Sequence, residues 1–308
     1  MDKKNLVITG ASGQLGMTLQ SLWPGSQLQD RYDVLLFDRD SLDITSASDV
    51  DAKLSQVQAH VIINAAAYTQ VDQAESDRDN AFAVNELGVV NLARWAAANK
   101  ASMLQVSTDF VFDGAATTPY LPTHPAGAVG DDSSARISAY GASKLAGERA
   151  MQSLLPEAGI ILRTSWLYSE HGSNFVKTML RLMDERDQLS IVGDQIGSPT
   201  STHSLAQLIF AVIRQQNGRG VYHWSDGGAI SWFEFAREIQ RQGIEQGLLQ
   251  REIPLQAIAT EDYPTAAKRP AYSVLDRSST LSDFDCPALS WQQQLTVVLK
   301  GMQSKGSE

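Results

Sequence analysis

The stretch Asn5-Leu-Val-Ile-Thr-Gly10-Ala-Ser-Gly13-Gln-Leu-Gly16 joins a short apolar run to three glycines spaced three residues apart. The apolar run is typical of a buried strand, and Met17 to Trp23 follow with a helical pattern. Glycines between a strand and a helix allow a tight turn and close approach of the backbone to a pyrophosphate, which the helix N-terminus attracts. The order strand, turn, helix therefore predicts a dinucleotide-binding unit.

A second apolar run, Asp33 to Phe37, predicts a strand that ends at Asp38. A carboxylate about 20 residues past such glycines can accept hydrogen bonds from an adenosine ribose, which favours NADH. Arg39 could instead hold the 2′-phosphate of NADPH. The sequence therefore predicts NADPH or NADH as the cofactor, and the alternative for Asp38 is an ordinary turn at a strand end.

Further strands alternate with helices along the first half of the chain. His60 to Asn64, Met103 to Val106 and Ile160 to Arg163 read as buried strands, and Asn80 to Lys100 as a long helix. This alternation predicts an α/β fold with a doubly wound parallel sheet, a Rossmann fold, whose ligands lie beyond the carboxyl ends of the strands.

The length of 308 residues suits a large and a small domain. We expect a dinucleotide-binding domain at 1–165, with later segments near 200–225 packing back on it. Residues 166–308 are expected to form mainly a smaller, discontinuous C-terminal lobe that binds substrate. Amphipathic residues 174–185 and the capping box Ser231-Trp-Phe-Glu234 predict two of its helices.

Composition narrows the classes of function. The formal net charge of −10 argues against a nucleic-acid partner. A single cysteine, Cys286, cannot form an intrachain disulfide, and no apolar run is long enough for a signal peptide or a membrane span, so a cytoplasmic location is expected. The five histidines lack metal-ligand spacing, so no metal is predicted. A hydrolase triad has no Gly-x-Ser-x-Gly motif to carry it.

Tyr140-Gly-Ala-Ser-Lys144 places a tyrosine and a lysine four positions apart. On a helix such residues share one face, so the Lys144 ammonium is expected beside the Tyr140 phenol. A nearby cation lowers a phenol pKa from its reference near 10; reaching about 7 requires roughly 4 kcal/mol, which favours help from a second charge such as an oxidised nicotinamide. Tyr140 is thus predicted to protonate a carbonyl oxygen. The alternative is a chance pair on a solvated helix.

Two polar residues near this pair have open roles. The Thr108 hydroxyl, at a strand end, could bond the substrate carbonyl or its own backbone. Asn85 is a poor helix former inside a predicted helix, so it either holds water or opens a helix bond near Lys144, or it faces solvent.

These residues resemble the extended short-chain dehydrogenase/reductases, and more closely the dTDP-4-dehydrorhamnose reductase family. The general motifs are Gly10-x-x-Gly13-x-x-Gly16, Asn64-Ala-Ala-Ala67, Val84-Asn-Glu-Leu-Gly88, Ser107-Thr-Asp109 and Tyr140-x-x-x-Lys144. The more specific ones are Ala67-Tyr-Thr-Gln-Val-Asp72, Ser107-Thr-Asp-Phe-Val-Phe112, Arg163-Thr-Ser-Trp166, Asn174-Phe-Val-Lys-Thr-Met179, Asp194-Gln-Ile-Gly-Ser-Pro-Thr200, Tyr263-Pro-Thr and Arg269-Pro270.

The resemblance implies reduction of the C4 keto group of a nucleotide-linked 6-deoxy sugar, most closely dTDP-4-dehydro-L-rhamnose. It implies Tyr140 as proton donor, Lys144 as its modulator and ribose ligand, and Thr108 as the carbonyl partner. The expected cofactor ligands are Gly10, Ser12, Gly13, Gln14, Leu15, Gly16, Asp38, Arg39, Asp43, Ala65, Ala66, Ala67, Tyr140 and Lys144. The expected substrate ligands are Thr69, Val71, Thr108, Asp109, Trp166, Asn174, Lys177 and Arg269.

Arg269 is the predicted ligand of the diphosphate, because arginine can meet a pyrophosphate with two parallel hydrogen bonds. Trp166 is expected to stack on sugar or base, the alternative being a core tryptophan. A dTDP-sugar is therefore the expected partner, in a chain that could form a homodimer.

One segment departs from the family pattern. Reductases of this kind read Pro-x-Asn-x-Tyr-Gly, whereas the matching residues here are Arg136-Ile-Ser-Ala-Tyr140-Gly, after a long polar loop from Pro119 to Ile137. That loop is expected to be mobile and to close over the sugar, or else to be a solvated insertion. Two alternatives for the whole chain stay open: a nucleotide-sugar epimerase or dehydratase of the same superfamily, and a non-catalytic dinucleotide-binding regulatory subunit.

Overall fold

The structure, a computed structural model, describes residues 2–127 and 137–305. Six parallel strands form the central sheet in the order β2-β1-β3-β4-β5-β10. They are β1 (Lys4–Thr9), β2 (Tyr32–Phe37), β3 (Ala59–Asn64), β4 (Ser102–Thr108), β5 (Gly159–Thr164) and β10 (Gly220–Trp224). The strand order reverses between β1 and β3, which is where ligands bind in folds of this class. The predicted doubly wound parallel sheet is confirmed.

Some helices cover the two faces of this sheet, and others form a separate core. The helices are α1 (Gln14–Leu22), α2 (Ala47–Gln56), α3 (Arg78–Phe82), α4 (Gly88–Asn99), α5 (Ala139–Leu154), α6 (Phe175–Glu185), α7 (Thr202–Gln215), α8 (Trp232–Glu245), α9 (Ser278–Asp283) and α10 (Trp291–Lys305). Successive residues of β1 serve opposite faces: Leu6 and Ile8 pack with α1 and α7, and Val7 with α2 and α4. This alternation follows from the pleat of a strand.

The second half of the chain contributes both to the layers around the central sheet and to a separate core. Helix α7 packs against α1, and β10 pairs with β5 at the edge of the central sheet. Helices α6, α8 and α10 share a separate core around Phe235 and Leu295. Three two-stranded pairs complete it: β6 (Leu167–Tyr168) with β9 (Thr200–Ser201), β7 (Leu189–Val192) with β12 (Leu255–Ile258), and β8 (Ile196–Gly197) with β11 (Ile230–Ser231).

The long helix predicted from Asn80 to Lys100 is interrupted. Between α3 and α4 the chain makes a π-helical turn over Ala83–Leu87, which contains Asn85. Single π-helical turns inside helices occur often at functional sites. The alternative that Asn85 opens the helical hydrogen bonding is therefore the one that the structure supports.

The loop expected to close over the sugar, Pro119 to Ile137, falls partly outside the described residues, since 128–136 lie between the two described ranges. The departure at Arg136 lies there too. Within the described ranges, none of the helices combines the length and the apolar character needed to cross a membrane.

Candidate active site

The glycine turn after β1 is packed without spare room. Gly10 has a φ of +69°, and a Cβ there would lie 2.6 Å from the Ala66 nitrogen. A Cβ on Gly16 would lie 2.3 Å from the Gly10 carbonyl oxygen, so a side chain would displace the turn. Helix α1 begins directly after Gly13, which points the amides of its first turn at the reversal of strand order. These residues fit a dinucleotide pyrophosphate.

Asp38 follows β2 and reaches the glycine turn. Its carboxylate accepts a hydrogen bond from the Ser12 hydroxyl at 3.2 Å and bonds from the Ser41 hydroxyl at 2.7 Å and amide at 3.0 Å. The Ser41 bonds lower the pKa of Asp38. Asp38 therefore belongs to a turn at the end of a strand and also contacts Ser12 of the glycine turn. Arg39, the next residue, is exposed. Asp43 is also exposed, with its carboxylate accepting hydrogen bonds from Thr45.

The loop after β3, Ala65 to Asp72, is held by two buried asparagines. Asn64 accepts hydrogen bonds from the Thr9 hydroxyl and the Ala66 amide. Asn85 is 1% exposed; it accepts from the Tyr68 amide and donates to the Tyr68 carbonyl and the Ser143 hydroxyl, each at 3.0 Å. The expectation that Asn85 could face solvent is wrong, because this amide joins the loop to α5.

Helix α5 carries Tyr140 and Lys144 in its first turns, and both side chains are buried. Ser138 caps the helix by accepting from the Gly141 amide at 3.1 Å. The Lys144 ammonium donates to the Val106 carbonyl at 2.7 Å, on the adjoining strand β4. The alternative of a chance pair on a solvated helix is therefore wrong.

Burial controls the protonation of this pair. Burial raises the pKa of Tyr140 to about 12. The charge of Asp109 raises this pKa further, and a hydrogen bond with Thr108 lowers it. Burial also lowers the pKa of Lys144 to about 8. The expected lowering of the phenol pKa by Lys144 does not occur in the protein alone, because burial raises this pKa and the phenol is influenced by Thr108 and Asp109 rather than by Lys144. Tyr140 keeps its proton at neutral pH.

Thr108 and Asp109 stand at the carboxyl end of β4. The Thr108 hydroxyl donates to the Asp109 carboxylate at 3.1 Å and accepts from the Phe110 amide at 3.2 Å. The backbone bond considered for Thr108 is therefore present, together with its contact to Tyr140. Asp109 is 1% exposed, and this burial raises its pKa to about 6.

A cavity of about 480 Å³ opens beside Phe110 and is lined mainly by apolar and aromatic side chains. Trp166, at its wall, has a φ of +48° and stacks on Trp232 with ring centroids 3.5 Å apart. One face of Trp166 is therefore occupied by protein, and the residue is half-buried. A volume of this size and an apolar lining suit a small-molecule ligand.

The predicted substrate ligands are not all at this cavity. Arg269 and Trp166 line it, while Val71 packs in the small cluster around Tyr140 and Thr69 is exposed in the same loop. Asn174 caps α6 by accepting from the Lys177 amide, and its side-chain amide donates to Gln14 Oε1 at 2.9 Å. Lys177 is exposed, with its ammonium 3.4 Å from the Glu170 carbonyl. For Asn174 and Lys177 substrate contact stays a prediction.

Several lining residues lie inside quoted sequence motifs but were not predicted as ligands, namely Phe175, Trp232, Tyr263 and Thr265. Phe175 is the first residue of α6 and Trp232 the first residue of α8, each directly after the residue that caps the helix. The caps allowed the helices to be predicted from the sequence, but they did not indicate a cavity. Thr265 and Tyr263 come from an irregular segment. Across 2–127 and 137–305, no group of three or more His, Cys, Asp or Glu side chains is arranged to bind a metal ion.

Known proteins are similar to this chain over nearly its whole length. The family described as RmlD substrate binding domain matches residues 4–304. A dTDP-4-dehydrorhamnose reductase from Aggregatibacter actinomycetemcomitans is 41% identical over 298 residues, covering 94% of this chain and 96% of that protein. One from Sinorhizobium fredii is 36% identical over 294 residues, covering 94% of each.

A solved structure of a protein with the same name is similar to this chain in fold. The crystal structure of dTDP-4-dehydrorhamnose reductase from Bacillus anthracis in complex with NADP superposes with a TM-score of 0.87 at 38% identity, covering 97% of this chain and 100% of that one. The match therefore extends over the glycine turn, the Tyr140 helix and the cavity alike. This chain belongs to the RmlD substrate binding domain family.

Proposed function

We propose that this chain is an NADPH- or NADH-dependent oxidoreductase that reduces the C4 keto group of dTDP-4-dehydro-L-rhamnose to give dTDP-L-rhamnose. The observation that carries the proposal is the buried Tyr140–Lys144 pair with Thr108, at the carboxyl edge of the sheet and next to the aromatic cavity. The names of the relatives over nearly the full chain point to the same reaction.

Tyr140 acts as the general acid. Its phenol is neutral at pH 7, so it has a proton to give to the oxygen of the reduced carbonyl. Thr108 lies against the phenol and offers a second polar contact to the same oxygen. Lys144, fixed on the Val106 carbonyl, places a positive charge on the Tyr140 face of α5, where it stabilises the phenolate that remains.

The glycine turn, Ser12, Asp38 and the Ala65–Ala67 loop would hold the dinucleotide. Its nicotinamide supplies the hydride when bound. The chain's contribution is to bind and orient it, because glycines in the turn would let the backbone approach the pyrophosphate closely.

The cavity would hold the sugar nucleotide. Arg269 supplies a guanidinium for the diphosphate. The stacked pair of Trp166 and Trp232 offers a flat apolar wall to a sugar or base. Asp109, next to Thr108, places a buried carboxyl group near Tyr140.

The test is to mix the purified protein with NADPH and dTDP-4-dehydro-L-rhamnose and to follow NADPH absorbance and product mass. A reductase consumes one NADPH per sugar and the product gains two hydrogens. An epimerase or dehydratase retains its cofactor in oxidised form and consumes none, and a regulatory subunit binds NADPH without turnover. Either of these results contradicts the proposal.

Tyr140→Phe is the matched variant for the catalytic role. It removes one hydroxyl from a buried ring, so we expect NADPH affinity to stay unchanged while kcat falls by at least about two orders of magnitude. Steady-state kinetics together with a cofactor titration measure both. Near-normal turnover in this variant would show that Tyr140 is not the acid.

A further inference from the structure

Residues 263–270, which we call the strap, form one side of the substrate cavity. Tyr263, Thr265, Arg269 and Pro270 of the strap line it, together with Trp166. Residues 263–266 of the strap are exposed to solvent, whereas Ala267 is only 1% exposed. The position of the strap therefore determines the shape of the cavity.

Both ends of the strap are anchored by hydrogen bonds to the substrate lobe, and just after the strap the Tyr272 amide also donates to the Gly114 carbonyl at 3.3 Å. Before it, the Thr260 amide and hydroxyl donate to the Asp194 carboxylate at 2.9 and 2.6 Å. After it, the Ile196 amide donates to the Ala271 carbonyl and the Ser273 amide to the Ile196 carbonyl, each at 2.8 Å. These anchors hold the ends and leave the middle of the strap to be positioned by other contacts.

The carboxylate of Asp72 contacts that middle part through two hydrogen bonds. Asp72 Oδ1 accepts from the Ala267 amide at 3.0 Å, and Asp72 Oδ2 accepts from Arg269 Nη2 at 2.6 Å. Asp72 ends the loop that follows β3, so it belongs to the dinucleotide-binding side of the molecule. The two bonds thus join the strap to the loop that also carries Thr69 and Val71.

The ion pair leaves Arg269 able to bind an anion. Its side chain is 25% exposed and that of Asp72 45%, so solvent weakens the pair without removing it. A guanidinium has five N–H donors, and the bond to Asp72 Oδ2 uses one terminal nitrogen. The remaining donors of Arg269, which lines the cavity, are available to a diphosphate.

We propose that Asp72 is a positioning residue that latches the strap over the substrate cavity and orients Arg269 toward the diphosphate of the sugar nucleotide. This inference rests on the proposed function. Asp72 touches no reacting atom; it acts through Ala267 and Arg269. The latch spans the two sides of the molecule, so it shapes the sugar-nucleotide site without contacting the glycine turn.

The variants Asp72→Ala and Asp72→Asn separate the two bonds, because asparagine keeps an acceptor for the Ala267 amide and loses the charge. Asp79→Asn, on the exposed side of α3, is the matched control. We expect Asp72→Ala to raise KM for the dTDP-sugar by about tenfold or more, the scale of a lost charged hydrogen bond, with kcat changed by less than about threefold. Asp72→Asn should fall between, and NADPH affinity should stay the same in all three.

Limited trypsin digestion gives a readout that does not depend on activity. The bond after Lys268 lies inside the strap, next to the residues that Asp72 holds. Cleavage there should be faster in both Asp72 variants than in the wild type and the Asp79→Asn control, and dTDP should protect the wild type more than the variants. Mass spectrometry of the fragments identifies the cleaved bond.

The outcomes distinguish the two proposals. A wild-type chain that oxidises no NADPH with the dTDP-sugar overturns the proposed function, and the digestion then still decides whether Asp72 holds the strap. An active wild type whose KM and cleavage rate match those of both variants overturns the latch. A lower KM in Asp72→Asn overturns it as well, because Asp72 would then compete with the diphosphate for Arg269.

Discussion

The glycine turn and the substrate cavity are built on opposite principles. The turn is made of backbone: Gly10 and Gly16 approach other main-chain atoms so closely that neither position has room for a Cβ. The cavity is made of side chains, such as the stacked Trp166 and Trp232, which come from segments more than 60 residues apart in sequence.

This difference corresponds to two kinds of ligand binding, that of the cofactor pyrophosphate and that of the sugar nucleotide. A pyrophosphate can be bound by amides and a helix terminus, which any sequence with the right turn presents. A particular sugar nucleotide must be distinguished by specific side chains, and these bring burial costs with them. Asp109 illustrates the cost, since burial holds the pKa of its carboxyl at about 6.

The largest expected effect breaks the glycine turn alone. In Gly16→Ala the new Cβ would meet the Gly10 carbonyl at 2.3 Å, so the turn must open and NADPH affinity should fall by about a thousandfold, or about 4 kcal/mol. Binding of dTDP in the cavity should change by less than about threefold. Gly25→Ala is the control, because no atom lies within 4 Å of its added Cβ. Equal losses for both ligands would show that the two regions are not independent.

The next effect concerns a buried side chain near Tyr140, Asp109, and is measured through stability. The pKa of Asp109 is about 6 in the fold against 3.8 without it, so its contribution is present below pH 3.8 and is lost as pH rises through 6. Asp109→Asn should therefore match the wild type near pH 4 and be more stable by about 3 kcal/mol above pH 6, while losing activity.

Urea unfolding at several pH values measures this difference, with the exposed Asp40→Asn as control. A stability difference that stays constant with pH would show that Asp109 ionises as freely in the fold as in the unfolded chain.

The smallest expected effect lies at the exposed edge of the dinucleotide site. Arg39→Ala should weaken NADPH binding by about ten- to hundredfold, the range of a charged hydrogen bond, and leave NADH nearly unchanged. Titration with each cofactor measures it, and NADH serves as the internal control. Equal weakening of both would mean that Arg39 does not contact the 2′-phosphate.

Most of the architecture follows from local patterns. The strand before Gly10, the strand before Asp38 and the capping box at Ser231 all lie where the sequence predicts them, because each depends on residues within one short segment. The sequence left several roles open for Asn85, and interruption of the helix was only one of them. At this interruption the Asn85 side chain bonds to the Tyr68 backbone, a partner that the local pattern of residues does not indicate.

The sequence by itself determined the order of strands and helices, the glycine turn, the spacing of Tyr140 and Lys144 and the family, since these are properties of neighbouring residues. Only the tertiary structure decided that Tyr140 retains its proton, that Trp166 stacks on Trp232, and that Asp72 holds Arg269. Desolvation and long-range contacts set these features, and both depend on which distant segments pack together.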